Sequence, residues 1–125
     1  MPVTARAARL PEIETVRRWS QSLATLDAIL SPKWENRYFS FDAHWAADEQ
    51  MVSMRNGSGD EYSIVFAPVG AYARGFDHES PMSPYAQSPL AVWPGVIDDV
   101  SAEFDPFVKE PAFSDGTVPR VTACL

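Results

Sequence analysis

The sequence predicts an α+β fold, an N-terminal amphipathic helix packed on an antiparallel sheet of four to five strands, with a proline-rich C-terminal segment as cover. Three observations predict it. A stripe of apolar residues at helical spacing runs from Ile13 to Leu30, as one face of an amphipathic helix requires. Short apolar-alternating runs then follow one another across turn residues, the mark of a meander. After Phe76 the composition shifts, with six prolines between Pro81 and Pro111, which disfavours long regular elements there.

The helix is expected to begin near Pro11, because proline lacks only an N–H that is unpaired in the first turn anyway. Ile13, Val16, Leu23, Leu26 and Leu30 form its apolar stripe, with Trp19 beside them. Ser31-Pro32 should end it, since the residue before a proline avoids helical geometry. Trp34–Asp42 and Met51–Arg55 are strand candidates. Glu61–Ala67 is the clearest strand, with Tyr62, Ile64 and Phe66 on one face and Ser63 and Val65 on the other. Asn56-Gly57-Ser58-Gly59-Asp60 is the hairpin turn that sets its register, because Asn and Gly tolerate positive φ and Asp bonds its own backbone. Pro68-Val69-Gly70 supplies the next tight turn, leading to a strand over Ala71–Phe76 in which Tyr72, Arg74 and Phe76 alternate with small residues.

Downstream, Ser80–Pro89 reads as an extended loop and Gly95–Val100 as one helical turn. Ser101 is placed to cap a short helix with Glu103 near its positive end, and Phe104, Phe107 and Val108 would face the core. Asp115-Gly116 marks a turn before a strand over Val118–Leu125. The chain of 125 residues reads as one domain. Its last residues lie within an apolar run, from which a natural C-terminus beyond Leu125 is expected.

Net charge is −7, and residues 1–18 carry four Arg against two Glu while the rest carries six basic and fifteen acidic residues. Such a field repels phosphate backbones and favours cationic partners, so no nucleic acid is expected and a basic protein is the expected partner class. No apolar run approaches the ~18 residues that cross a bilayer. A single cysteine, Cys124, suits a reducing cytoplasm and, in its apolar setting, a buried and unreactive thiol.

The richest polar cluster is Asp77-His78-Glu79. Asp42 and His44 are possible partners for a metal there, but neighbouring strand residues point to opposite faces, so the three do not converge on one from a regular strand. His78 instead reads as a hydrogen-bonding residue at the strand-to-loop transition, with Glu79 solvated. No nucleophile–base spacing and no G-x-S-x-G elbow accompanies the serines or Cys124. Gly57-Ser58-Gly59 lacks the following Lys of a phosphate loop, and Asp60-Glu61 would repel an anion. No cofactor and no metal is expected. Trp34, Trp45, Trp93 and Tyr85 are candidate partner anchors, although at least two of the tryptophans are expected in the core on size alone.

The run Ser53-Met54-Arg55-Asn56-Gly57-Ser58-Gly59-Asp60-Glu61-Tyr62, with Gly75-Phe76-Asp77-His78-Glu79, resembles an uncharacterised bacterial protein family. Met82-Ser83-Pro84-Tyr85, Trp93-Pro94-Gly95-Val96 and Glu110-Pro111-Ala112-Phe113 resemble the same family, which covers roughly residues 34–125. A second, local resemblance is to SUKH-type immunity proteins, carried by Gly59-Asp60-Glu61-Tyr62 and His78-Glu79. The segment from Met82 onward has no counterpart there. That resemblance implies a protein that neutralises a toxin by binding it.

Three readings follow. The first is a non-catalytic, immunity-like binding protein of the cytoplasm, whose acidic residues Asp60, Glu61, Asp77 and Glu79, or Asp98 and Asp99, meet a basic partner, with His78 and Tyr85 in the contact. The second is a small hydrolase or metal-dependent enzyme using His44 and His78. The third is a structural domain without a discrete site.

Overall fold

The computed structural model describes residues 8–125. It is an α+β arrangement in which one helix packs on a five-stranded antiparallel sheet. Helix α1 spans Ile13–Leu30. Its first residue lies two beyond Pro11, and Glu12 occupies the N-cap without a side-chain hydrogen bond. It stops at Ser31, ahead of Pro32, as the proline rule requires.

Strands β1 (Phe39–Ala46), β2 (Glu49–Arg55), β3 (Glu61–Ala67) and β4 (Gly70–Phe76) form the meander in chain order. The register pairs Val52 with Ile64 and Ile64 with Ala73. Because side chains alternate, Phe41, Val52, Ile64 and Ala73 therefore share one face and Met51, Val65 and Tyr72 the other. The β1–β2 ladder is interrupted between Asp42 and Ala46. There the Asp42 carboxylate accepts the His44 N–H at 2.9 Å. The expected strand at Trp34–Asp42 is displaced. Trp34–Asn36 form a 3₁₀ turn, and the Arg55 guanidinium stacks 3.8 Å over the Trp34 ring.

The proline-rich segment covers the second face with short pieces. A 3₁₀ turn at Pro84–Ala86 is capped by Ser83. Another at Ala102–Phe104 runs into the four-residue helix α2, Asp105–Val108, with Pro106 in its first turn. Gly95–Val100 holds only isolated turn bonds instead of a helix. The single strand expected over Val118–Leu125 is also corrected. Val118–Pro119 (β6) pairs with Ser114–Asp115 (β5) in a small ribbon, and only Ala123–Cys124 (β7) joins the main sheet beside β4. Pro119 and the bend after it break the run.

The core lies under this cover. Val65, Tyr72, Phe107, Val108, Phe113, Val121 and Cys124 form one buried cluster, and Trp45 stacks on Phe113 with ring centroids 6.0 Å apart. Phe104 packs at its margin, so the three residues expected to face inward from this segment do so. The helix side is closed less completely. Val52, Phe66 and Ala24 are buried, but Ile13, Leu23, Leu26 and Leu30 of the predicted stripe are exposed. The helix rests on Val16, Ser20, Ala24 and Ala28, whose smaller side chains let the backbone approach the sheet. The expectation of two core tryptophans is likewise corrected. Trp19, Trp34 and Trp93 are exposed, and only Trp45 packs against the core.

Candidate functional site

The hairpin turn and the end of β4 build one corner of the sheet. Asn56 organises the turn, its side-chain carbonyl accepting the Ser58 N–H at 2.8 Å and the Asp60 N–H at 3.3 Å. Its amide donates to Asp60 Oδ2 at 3.2 Å. Gly59 has φ +96°, and a Cβ there would sit 2.8 Å from His78 Nδ1. Glycine is therefore required twice, for its backbone and for the ring that lies against it.

Asp60 Oδ1 is 3.1 Å from His78 Nδ1 and also accepts the His78 N–H at 3.3 Å. These bonds, with that from Asn56, hold the Asp60 carboxyl below its ordinary pKa, the His78 ring contributing most. Asp77 Oδ1 accepts the Glu79 N–H at 3.0 Å, and the Asp77 N–H donates to Thr122. Donor atoms of Asp60, Asp77 and His78 all lie within 4.8 Å of one another. They converge because Asp77, His78 and Glu79 follow β4 in a turn, where strict alternation no longer applies. Glu79 is exposed, 3.6 Å from His78 Nε2.

Glu61 belongs elsewhere. It points to the cover side and accepts from Arg74 at 2.9 Å and from Arg120 at 3.4 Å. Arg74 is only 4% exposed, lies 4.6 Å over the Phe113 ring, and donates to the Arg120 carbonyl and to Ser63. Burial lowers its pKa and Glu61 opposes that shift. Glu61 is thus occupied in neutralising a buried cation, on the cover side and away from the Asp60–His78 contact. Tyr85 is half-exposed, its ring set edge-on against Phe76 and its hydroxyl donating to Asp115 at 2.8 Å. It stands at the same end of the sheet as the corner.

Asp98 and Asp99 lie at the other end. Asp98 caps its own turn through the Gly95 N–H at 2.7 Å, and Asp99 lines a hollow with Tyr72, Val100 and Phe104, near the start of β4. The acidic candidates therefore form two separate patches. His44 is also remote from His78. It sits on β1, three strands from β4 and toward the opposite end, in a cleft of about 490 Å³ with Arg17, Asp48 and Glu49. The two histidines do not share a site. Cys124 is buried, its thiol pushed up in pKa by desolvation and donating to the Val96 carbonyl.

Sequence reasoning missed Arg74 and Arg120, and placed Asn56 in the turn without its hydrogen-bonding role. A signal existed for Arg74, an arginine between Tyr72 and Phe76 on one strand face, where a cation needs a buried acid. Compared with family models, curated proteins and solved structures, the chain matches none. No helix among the described residues is long and apolar enough to cross a membrane.

Proposed function

We propose that this domain is a non-catalytic binding protein of immunity-like type, meeting a basic protein partner through the corner of Asp60, Asp77, His78 and Glu79. One observation carries the reading. Asp77 and Glu79 project into solvent, and among the described residues neither has an Arg or Lys within ion-pair distance. Carboxylates left without a cation beside a rigid turn suit charge-complementary docking, where they speed encounter and fix orientation. Half-exposed Tyr85, already held by Phe76, offers an aromatic contact at low entropic cost.

The test uses charge reversal at the exposed pair. Asp77→Lys with Glu79→Lys should weaken binding of an oligo-arginine peptide by about tenfold in fluorescence anisotropy, with an unchanged circular dichroism spectrum. Equal affinity for that variant and the parent would sink the reading. Reversing Asp60 and Glu61 is the poorer probe, because both hold the fold together.

A second reading has its own observation, the convergence of Asp60, Asp77 and His78. An imidazole with two carboxylates suits a divalent ion such as Zn²⁺ or Mn²⁺, with further positions open to solvent. It keeps a metal-dependent role for His78 without His44. Asp60 and His78 already satisfy each other and the Asp77 carboxylate takes the Glu79 N–H, which ranks this reading second. Calorimetric titration with Zn²⁺ should then show one site, lost in His78→Ala, whereas no heat of binding discards it.

A further inference from the structure

Helix α1 carries an apolar spacing that the sheet uses only at its start, where Val16 is partly buried. Val16, Trp19, Leu23, Leu26 and Leu30 recur at steps of three, four, three and four, the a/d repeat of a helix that meets another helix. Trp19 is 61% exposed, Leu26 54% and Leu30 72%. Gln21, Ala24, Thr25 and Ala28 turn toward β1. Val16 and Ile13 instead border a groove of about 300 Å³ over Ile64, Ala71 and Ala73. By helical spacing the exposed stripe continues along that same flank. Helix and sheet together thus present one apolar face.

Two features say what covers it. The first is area. With roughly 100 Å² for each of exposed Leu23, Leu26 and Leu30, and more for Trp19, the stripe offers on the order of 500 Å², a modest interface beside the ~800 Å² each partner gives a standard one. That is in the upper part of the range for the largest patch on a monomer, a patch that is often functional. The second is charge. The positions flanking the repeat are Thr15, Ser20, Ser22, Asp27 and Ile29. Their single charge, Asp27, is turned into bonds from the Tyr38 and Phe39 N–H groups at 2.7 and 2.8 Å. A chain of net charge −7 repels its own copy over most of its surface but not on a neutral face. A basic partner finds no carboxylates there to recognise. The occupant that fits is another α1.

We propose that the α1 face is a self-association surface, on which a second copy of this chain lays its own Val16–Leu30 seam about a two-fold axis near Leu23. Such pairing is isologous, so each seam serves as both knob and hole. It is independent of the basic-partner reading and leaves the acidic corners free.

Sedimentation equilibrium of the 125-residue chain should give twice the monomer mass at concentrations on the order of 10–100 µM, the range expected of a modest interface. Leu26→Lys, an exposed position, should return it to monomer with unchanged circular dichroism. Leu23→Cys should form a cross-linked dimer under mild oxidation, because a central seam residue meets its own copy in either helix orientation, while Gln21→Cys should not. A parent that stays monomeric overturns the proposal, as does a dimer indifferent to Leu26→Lys. A monomer that binds detergent micelles through this face also overturns it, assigning the surface to a different occupant.

Discussion

On the cover side of the sheet, Val65, Tyr72, Arg74, Phe113 and Val121 are almost wholly removed from solvent, whereas on the helix side Ile64, Ala71 and Ala73 are only partly buried beside α1. The cover is the less regular structure, assembled from 3₁₀ turns, a four-residue helix and two-residue strands. It still seals better than an 18-residue helix. A helix presents a straight cylinder that touches a twisted sheet along one line, while short irregular pieces bring Phe107, Phe113 and Val121 down at separate points. Regularity of secondary structure and completeness of burial are therefore different properties, and in this chain they fall on opposite faces.

The largest expected effect separates those faces directly. Phe113→Ala removes a ring packed against Trp45 and Arg74 and should cost about 3–5 kcal/mol in urea denaturation. Leu26→Ala, on the exposed helix flank, should cost under about 1 kcal/mol in the monomer. Comparable losses would erase the distinction between the two faces.

A smaller contrast of filled against open space lies within the hairpin turn. Gly59→Ala forces a Cβ onto His78 at a positive φ and should cost about 1–3 kcal/mol. It should also shift the His78 ring resonances. Gly57, at φ +77° with nothing within 4 Å, should tolerate alanine with a smaller loss and no change at His78. Identical spectra for the two variants would remove His78 from the wall of the corner.

The smallest effects come from pH and should reach the two faces from opposite directions. Desolvation pushes Tyr72, on the cover side, up to about 12. The stability from its neutral form is complete below the unfolded value near ~10 and is lost as pH rises through the folded one. Asp27, which ties α1 to the start of β1, is held below its ordinary pKa, chiefly by the Phe39 N–H. Its contribution is present above the unfolded value near ~3.9 and is lost as pH falls through the lower folded one. Hydrogen exchange should show the cover loosening first in alkali and the helix loosening first in acid. The reverse order would count against both assignments.

The meander was readable because period-2 alternation and turn chemistry agree over Met51–Phe76, and each strand there follows its predicted bounds within two residues. The helix limits were readable from Pro11 and Ser31-Pro32. Its orientation was not. A helix carrying Ser20, Ala24 and Ala28 on one side and leucines on another can bury either, and hydrophobicity alone favours the leucines. Close approach to the sheet favours the small residues, and packing decides. At the corner, the sequence identified Asp60 and His78 and the hydrogen-bonding role of the latter. The ion pairs of Glu61 were not readable, because its neighbours in sequence do not reveal Arg74 and Arg120, which arrive from thirteen and fifty-nine residues away.

The interruption of β1 between Asp42 and Ala46 has a further consequence. β1 is the long outer strand of the sheet, and its outward backbone groups would invite a strand from another molecule. Irregular pairing and the Asp42 bond to the His44 N–H put a charge and a bend into that template. Such edges resist runaway strand addition. On the opposite margin, the extended residues from Thr122 to Leu125 take up hydrogen-bonding groups of β4 at Ala73 and Gly75. The sheet thus blunts both margins against fibre-like growth, one by distortion and one by ending on a strand of only two residues.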